Sequence, residues 1–285
     1  MDPQIAERVA SILNWTPNAF ARVVGGYTPA ARYRVEAAAG KSAFVKIATN
    51  SETSSALRRE AAAYQMVDVS FRPALIGFQD DETHPILVTE DLSGCFIAPP
   101  WHARTIESTL CLVERLHASQ AALRPYRDIH GDMEAGWALV QRDPQPFLGL
   151  GIASHAWLSR ALPELLAAEA CCPTSGSASC HYDIRSDNLA FPEAGAKLID
   201  WSEACLSNPR LDLGFWLPSL ASEGGPVPEA LLPDAPEIAA WVSGYFAARA
   251  GLPVIPHAPR VRQVQQRQLV TALAWAQRAL RLPTL

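Results

Sequence analysis

The chain has 285 residues, of which 49% are hydrophobic and 19% are charged, and its formal net charge is −5. This composition is typical of a globular protein and excludes a disordered chain, while the length allows one large domain or two lobes. The negative charge, without any long basic block, argues against nucleic acid as a partner. No apolar run reaches membrane-spanning length and no export signal opens the chain, so we expect a cytoplasmic protein with six reduced cysteines.

The first third of the chain predicts a sheet accompanied by two helices. Apolar residues at helical spacing predict a short first helix over residues 5–13. A second helix is predicted over 51–67, where polar residues that favour a helix start precede the apolar positions. Extended segments predict five strands, the first three of them antiparallel: 20–24, 32–37, 44–47, 74–78 and 86–89.

Two features of this predicted sheet could bind phosphate. Gly25 and Gly26 lie in the first hairpin, where backbone amides could approach a phosphate without obstruction, although an ordinary hairpin turn is the more common meaning of such a pair. Lys46 interrupts an apolar strand in a chain with only three lysines. A half-buried ammonium group needs anionic partners, such as phosphates and a carboxylate. The alternative is that Lys46 faces solvent on an edge strand.

Glu60 lies on the apolar side of the second predicted helix, which makes it a natural partner for Lys46 in a kinase-like lobe. The alternative is a local salt bridge with a neighbouring arginine. The last predicted strand leads into Glu90 and Leu92, where the chain would leave the sheet and its backbone could bind the edge of a nucleotide base. We place the boundary near Ser93, with 1–92 as a nucleotide-binding lobe and 93–285 as a catalytic and substrate-binding lobe.

The remaining two thirds of the chain are mostly helical, with helices predicted over 106–119, 154–170, 212–220, 235–250 and 260–282. Acidic residues prevail from Glu203 to Glu237, whereas arginines without acids follow from Ile238. The simplest interpretation is that the two segments are neighbours in the fold. The alternative is a face that binds a cationic substrate.

The most informative stretch runs from Ser179 to Glu203 and contains the pattern His-x-Asp-x-x-x-x-Asn, formed by His181, Asp183 and Asn188. Phosphoryl transfer needs a carboxylate near the acceptor hydroxyl, an amide oxygen for magnesium five residues later, and a second carboxylate on the metal. Asp200, after a short apolar strand and a turn, can supply that second carboxylate.

A second His-Gly-Asp sequence, at His130 to Asp132, is a competing candidate for the catalytic loop. It has Trp137 where the metal-binding amide would be, and no apolar strand with a second aspartate follows it. The stretch around Asp183 is therefore favoured.

The order and spacing of these motifs resemble the aminoglycoside phosphotransferase and choline kinase-like small-molecule kinases. The resemblance implies an α+β, two-lobed protein-kinase-like fold, with an antiparallel sheet and a helix in the N-lobe and a mainly helical C-lobe. It covers most of the chain, and its most specific part lies between His181 and Trp201.

The resemblance also implies roles for individual residues. Asp183 would orient or deprotonate the acceptor hydroxyl, and Arg185 would offset charge near the γ-phosphate. His181 and Asp212 would support the loop, whereas Asp187 and Glu203 are given no step. The remaining expected roles are metal binding by Asn188 and Asp200, phosphate binding by Lys46 tethered to Glu60, and nucleotide contacts by Gly25, Gly26, Glu90 and Leu92.

The implied activity is an ATP- or GTP-dependent, Mg2+-requiring kinase that phosphorylates a hydroxyl of a small polar molecule. Expected acceptors include an aminoglycoside-type antibiotic, an amino sugar or an amino alcohol, so a cationic molecule is among them, and no obligate protein partner is expected. Tyr182 departs from the glycine common in the family. Trp201 and the lack of an Ala-Pro-Glu segment argue against a protein kinase. The alternatives are a catalytically silent nucleotide-binding regulator and, less favoured, a protein kinase.

Overall fold

The computed structural model describes residues 2–38, 40–193 and 195–285; Met1, Ala39 and Ala194, which belong to the two predicted lobes, lie outside the described residues. The N-terminal elements agree with the predicted ones to within two residues at each end. They are α1 (Pro3–Leu13), β1 (Ala19–Arg22), β2 (Ala31–Glu36), β3 (Ser42–Ile47), α2 (Ser51–Met66), β4 (Leu75–Gln79) and β5 (Ile86–Thr89).

The five strands form one antiparallel sheet in the order β1-β2-β3-β5-β4, so β3 is its central strand. Lys46 on β3 lies opposite Arg32 on one side and Leu87 on the other. Side chains alternate between the faces of a sheet, so Val45 packs with Val9 under α1 while Lys46 points to the opposite face, towards α2. The alternative that placed Lys46 on a solvent-facing edge strand is wrong.

Both N-terminal helices begin at side chains that satisfy their free backbone amides. The Asp2 carboxylate accepts a hydrogen bond from the backbone N–H of Gln4 at 2.8 Å. Asn50 and Thr53 form a reciprocal capping box at the start of α2, where the Asn50 side chain accepts from the Thr53 N–H at 2.9 Å. The Asn50–Thr53 capping box sets where α2 starts and therefore which of its residues face the sheet.

The C-terminal part is mainly helical, as predicted. Its helices are α3 (Ala103–Ala118), α4 (Tyr126–His130), α5 (Gly136–Arg142), α6 (Gln145–Leu148), α7 (His155–Ala170), α8 (Pro209–Ser222), α9 (Pro228–Leu231), α10 (Pro236–Ala250) and α11 (Val261–Ala279). Four short strands form two antiparallel pairs, β6 (Ala178–Cys180) with β9 (Cys205–Ser207) and β7 (Leu189–Ala190) with β8 (Lys197–Leu198). The four short helices α4, α5, α6 and α9 were not predicted.

The uneven charge of the last third is explained by the proximity of the acidic and the arginine-rich segments, the simpler of the two predicted explanations. Arg278 on α11 forms an ion pair with Glu229 on α9 and so joins the arginine-rich segment to the acidic one, whereas Arg210 pairs with Glu237 at 2.7 Å within the acidic segment. The acidic segment and the arginine-rich segment are thus neighbours. Among the described residues, no helix combines the length and the apolar character needed to cross a bilayer.

Candidate active site

The sheet and α2 place a buried lysine between two carboxylates. Lys46 Nζ donates to both oxygens of Glu60, at 2.8 and 2.9 Å, and lies 3.3 Å from Asp200 Oδ1. Burial favours the neutral amine, but Asp200 and Glu60 outweigh it and raise the pKa of Lys46. The neighbouring arginines of α2 bind elsewhere, Arg58 to Asp80 and Arg59 to the loop at Glu203, so the predicted alternative of a local helical salt bridge for Glu60 is not what forms.

The predicted catalytic loop, residues 181–188, is held by a fully buried carboxylate. Asp212 accepts hydrogen bonds from the backbone N–H groups of His181 at 3.0 Å and Tyr182 at 2.7 Å, and lies 3.0 Å from His117 Nε2. His181 in turn places Nε2 3.0 Å from the backbone carbonyl of Ile199. Burial lowers the pKa of His181 to about 4 although Asp212 acts in the opposite direction, so its ring is neutral at pH 7. These side chains position the loop and do not themselves face the cleft.

The short β7–β8 hairpin brings Asn188 and Asp200 together. Asn188 precedes β7 and Asp200 follows β8, and the Asn188 carbonyl accepts from the Ile199 N–H at 2.9 Å. The Asn188 amide nitrogen donates to the carbonyl and to Oδ2 of Asp183, at 2.8 and 2.9 Å. This fixes the amide so that its oxygen is left for another ligand.

The donor set fits a hard divalent cation. The Asn188 oxygen and the Asp200 carboxylate are the oxygen ligands that Mg2+ prefers. Burial opposes the charged form of Asp200, but Lys46, Arg32 and Arg185 together lower its pKa and keep it ionised. Asp200 also has a left-handed backbone, with φ of 65°, a conformation often held at functional sites. A bound ion would supply charge that offsets the phosphates of a nucleotide.

Asp183 is half-buried, with 28% of its side chain exposed, and lies beside several other acids. Burial raises its pKa to about 7, against the opposing effect of Arg185 and with added repulsion from Asp200 and Asp187. Arg185 forms an ion pair with Asp183 and a 3.0 Å hydrogen bond from Nε to Asp187. The ring of Tyr27 covers the guanidinium, with its centre 5.0 Å from Cζ. The carboxylate is thus suited to accept a proton near neutral pH.

One cleft of about 600 Å³ between the sheet and the catalytic loop is lined by every residue predicted for the site: Gly25, Gly26, Lys46, Glu60, Glu90, Leu92, Asp183, Arg185, Asn188 and Asp200. At Gly26, φ is 71° and an added Cβ would lie 2.7 Å from the Arg32 guanidinium, so the hairpin requires glycine there.

The linker after β5 is anchored rather than free. The Glu90 backbone N–H donates to the Ala74 carbonyl at 2.8 Å, and its carboxylate accepts from Lys197 Nζ at 2.7 Å. The Leu92 backbone carbonyl accepts a hydrogen bond from the Cys95 N–H at 3.0 Å. The Glu90 backbone N–H is therefore not available to a purine base, which could form hydrogen bonds only with other backbone groups of this linker.

The sequence did not predict that the Glu223 carboxylate supports the catalytic loop. Glu223, the residue that follows α8, accepts from Ser186 Oγ and from Trp101 Nε1, each at 2.7 Å. Ser186 lies between Asp183 and Asn188, so this carboxylate holds the middle of the catalytic loop. The signal in the sequence was weak, because a single glutamate in a Gly- and Pro-rich loop has no characteristic spacing.

A second, smaller cavity of about 250 Å³ meets the cleft at Asp183. Four residues line both spaces: Tyr27, Asp183, Arg185 and Glu203. His130, from the rejected second motif, forms part of its wall and stacks on Tyr126 with ring centres 4.7 Å apart. Asp132 from the same motif is exposed and pairs with Arg127, which agrees with its rejection as a catalytic residue.

Comparison with known proteins gives the family. A sequence model described as the phosphotransferase enzyme family (APH) matches residues 20–219. No curated protein matches the chain.

Solved kinase structures share the fold at low sequence identity. Amicoumacin kinase hAmiN, in complex with AMP-PNP, Ca2+ and Ami, is 11% identical with a TM-score of 0.58, over 94% of this chain and 93% of that chain. A choline/ethanolamine kinase family protein from Mesorhizobium loti is 16% identical with a TM-score of 0.57, over 96% and 97%. Spectinomycin phosphotransferase APH(9)-Ia, in complex with ADP and spectinomycin, is 15% identical with a TM-score of 0.54, over 98% and 93%. With most of its length matched by the family model, the chain belongs to the phosphotransferase enzyme family and has the fold of these kinases.

Proposed function

We propose that this protein is a cytoplasmic, Mg2+-dependent kinase that transfers the γ-phosphate of ATP or GTP to a hydroxyl of a small polar molecule. The observation that carries the proposal is the convergence of Lys46, Asp183, Asn188 and Asp200 on one cleft, at the point where a second cavity opens. Residues 1–92 then form the nucleotide-binding lobe and 93–285 the catalytic and substrate-binding lobe.

The nucleotide would lie between the sheet and the catalytic loop. Lys46, kept protonated by Glu60 and Asp200, would hold the α- and β-phosphates, and the amides around Gly25 and Gly26 would cover them. Asn188 and Asp200 would hold Mg2+, the ion that offsets the charge of the transferring phosphate. The solved relatives bound to AMP-PNP with Ca2+ and to ADP support a nucleotide and a divalent cation in this role.

The acceptor would approach from the smaller cavity. Its hydroxyl oxygen would attack the γ-phosphorus as the bond to the β-phosphate oxygen breaks, and its proton would pass to the Asp183 carboxylate. Arg185 would offset the charge that develops on the γ-phosphate. The products are the nucleoside diphosphate and a phosphorylated acceptor.

The family and the lining of the second cavity support a proposal for the chemical nature of the acceptor. The relatives include an amicoumacin kinase, a spectinomycin phosphotransferase and a choline/ethanolamine kinase family protein, all named for small molecules. The carboxylates of Asp183 and Glu203 line the cavity together with a single arginine, Arg185. This supports a small polar acceptor that carries positive charge, such as an aminoglycoside-type antibiotic, an amino sugar or an amino alcohol.

The test is a transfer assay with purified protein, Mg-ATP or Mg-GTP, and a library of small hydroxyl compounds, read by labelled phosphate on the acceptor. We expect transfer to at least one compound and none without divalent cation. Normal nucleotide binding without transfer to any compound would instead support a silent regulator. Transfer to mixed peptides in preference to small molecules would support a protein kinase.

A further inference from the structure

The wall of the smaller cavity opposite Asp183 comes from the last two helices. These helices lie beyond residue 219, where the match to the family model ends. Its residues are Tyr245 and Phe246 on α10 and Val261, Val264, Gln265 and Gln268 on α11. The features that select the acceptor should therefore be sought here.

Gln268 is the most unusual of these residues. It is only 6% exposed, and its side-chain amide makes no hydrogen bond with the described part of the chain, although its backbone carbonyl accepts from Thr271 Oγ1 at 3.1 Å. The neighbouring glutamines are engaged: Gln265 accepts from Arg262 at 2.9 Å and Gln266 donates to the Ala250 carbonyl at 3.1 Å. The Gln268 side chain lines the cavity, so its amide is available there to a ligand that offers a hydrogen-bond donor or acceptor.

The Glu203 carboxylate, which also lines the cavity, offers a second free hydrogen-bonding position. Its Oε1 lies 3.3 Å from Arg59 Nη2 and 3.2 Å from Ser202 Oγ. Its Oε2 lies 3.7 Å from His130 Nδ1, too far for a hydrogen bond. One oxygen of a partly buried carboxylate therefore remains for a donor in the cavity, and an ammonium group could bind it beside the existing pair with Arg59.

Aromatic rings form much of the remaining cavity surface, and the cavity itself is small. The Phe215 ring lies 5.5 Å from that of Tyr182 and 5.1 Å from that of Tyr245, so the three rings form a continuous apolar floor. Such rings favour the C–H face of a sugar or the methylenes next to an ammonium group. The cavity volume of about 250 Å³ is below the range of about 300–1,000 Å³ that is usual for drug-sized ligands.

We propose that this cavity binds a compact cationic acceptor, a single-ring amino sugar or a short amino alcohol, whose ammonium group binds Glu203 and whose polar groups bind Gln268. Gln268 is then a specificity-determining residue of the acceptor site. This inference rests on the proposed kinase function and narrows it to acceptors whose size matches the cavity volume of about 250 Å³.

The experiment measures binding to the full-length protein saturated with Mg-AMP-PNP, by calorimetry. The probes are glucosamine and ethanolamine as compact amines, glucose as the neutral counterpart of glucosamine, and kanamycin as a multi-ring amine. We expect at least one compact amine to bind on the order of tenfold more tightly than glucose and kanamycin. Gln268→Leu, which removes the amide at similar volume, should weaken the bound amine on the order of tenfold. Gln263→Leu on the exposed side of α11 is the matched control and should change nothing.

Glu203→Gln supplies an independent readout. It should reduce the preference for glucosamine over glucose, while Mg-AMP-PNP affinity confirms that each variant is folded. The inference is overturned if the protein binds nucleotide but neither compact amine, if glucose or kanamycin binds as well as the amines, or if Gln268→Leu binds them as wild type does. Loss of the proposed function would be distinct, because the wild-type protein would then fail to bind Mg-AMP-PNP or to transfer phosphate to any acceptor.

Discussion

The buried pair of Lys46 and Glu60 allows a quantitative test of the cleft. Glu60 is 2% exposed and both of its oxygens bind Lys46. Glu60→Gln keeps the size of the side chain but removes the charge that compensates the buried ammonium group. Breaking a buried pair in this way costs about 3–5 kcal/mol. Asp200, at 3.3 Å from Lys46, still offsets part of the charge, so we expect a loss of about 3 kcal/mol in the free energy of unfolding.

The double variant gives the sharper prediction. Lys46→Met alone leaves the buried Glu60 carboxylate without its cation, next to the half-buried Asp200, and should cost a similar amount. Lys46→Met with Glu60→Gln removes both charges, and a neutral replacement of a buried pair is often tolerated. The double variant should therefore lose less than the sum of the single variants, by about 1–3 kcal/mol.

The assay is urea unfolding at pH 7 without nucleotide, followed by tryptophan fluorescence and circular dichroism. Arg58→Gln is a control from the same helix, because Arg58 pairs with Asp80 at the surface and should contribute at most about 1 kcal/mol. Losses that simply add in the double variant would show that Lys46 and Glu60 do not stabilise each other, and the account of the cleft would be wrong.

Three further predictions concern other buried groups. Burial raises the pKa of Glu169 from 4.5 to about 7, although the hydrogen bonds that it accepts from backbone N–H groups, such as that of Trp137, act in the opposite direction. Between these two pH values the folded chain therefore binds a proton at Glu169 more readily than the unfolded chain does. The free energy of unfolding should therefore fall by up to about 3 kcal/mol from pH 4.5 to 7 through this group, and in urea unfolding Glu169→Gln should flatten that slope while exposed Glu164→Gln leaves it unchanged. Asn188→Leu should weaken Mg-AMP-PNP binding at least about tenfold but leave binding in EDTA unchanged, and equal loss in both conditions would argue against a metal ligand. Asp183→Asn should slow transfer on the order of 10²–10⁴-fold in the kinase assay with little change in nucleotide affinity, whereas an unchanged rate would remove it as the base.

The sequence predicted the cleft well because its chemistry depends on short, fixed spacings. Asn188 and Asp200 are only 12 positions apart (200 − 188) and are joined by the β7–β8 hairpin, so their proximity is a local property of the chain. Lys46 and Glu60 were detectable for a different reason: each is a charge placed where the surrounding apolar pattern predicts burial. Such residues stand out in a single sequence because a buried charge needs a partner.

The acceptor side could not be predicted in this way. Helical periodicity predicts α10 and α11, but it does not tell which of their polar residues meet a loop some 80 positions earlier. Gln268 and Gln263 are both polar positions on one helix, yet only Gln268 is buried at the cavity. Glu169 was missed for a related reason, since the short helix α5 whose N-terminus it binds was itself not predicted.

Tyr182 connects the two sides of the site. Its backbone has φ of 66°, the left-handed conformation for which a glycine would be favoured, and a non-glycine residue adopts it at a cost of about 1–2 kcal/mol. Asp212 offsets this cost because its carboxylate accepts hydrogen bonds from the N–H groups of both His181 and Tyr182. Glycine at this position would relieve the backbone but would remove the ring that packs against His130 and Phe215. The departure from glycine therefore gives the small cavity its aromatic floor while Asp212 keeps Asp183, the next residue, in place.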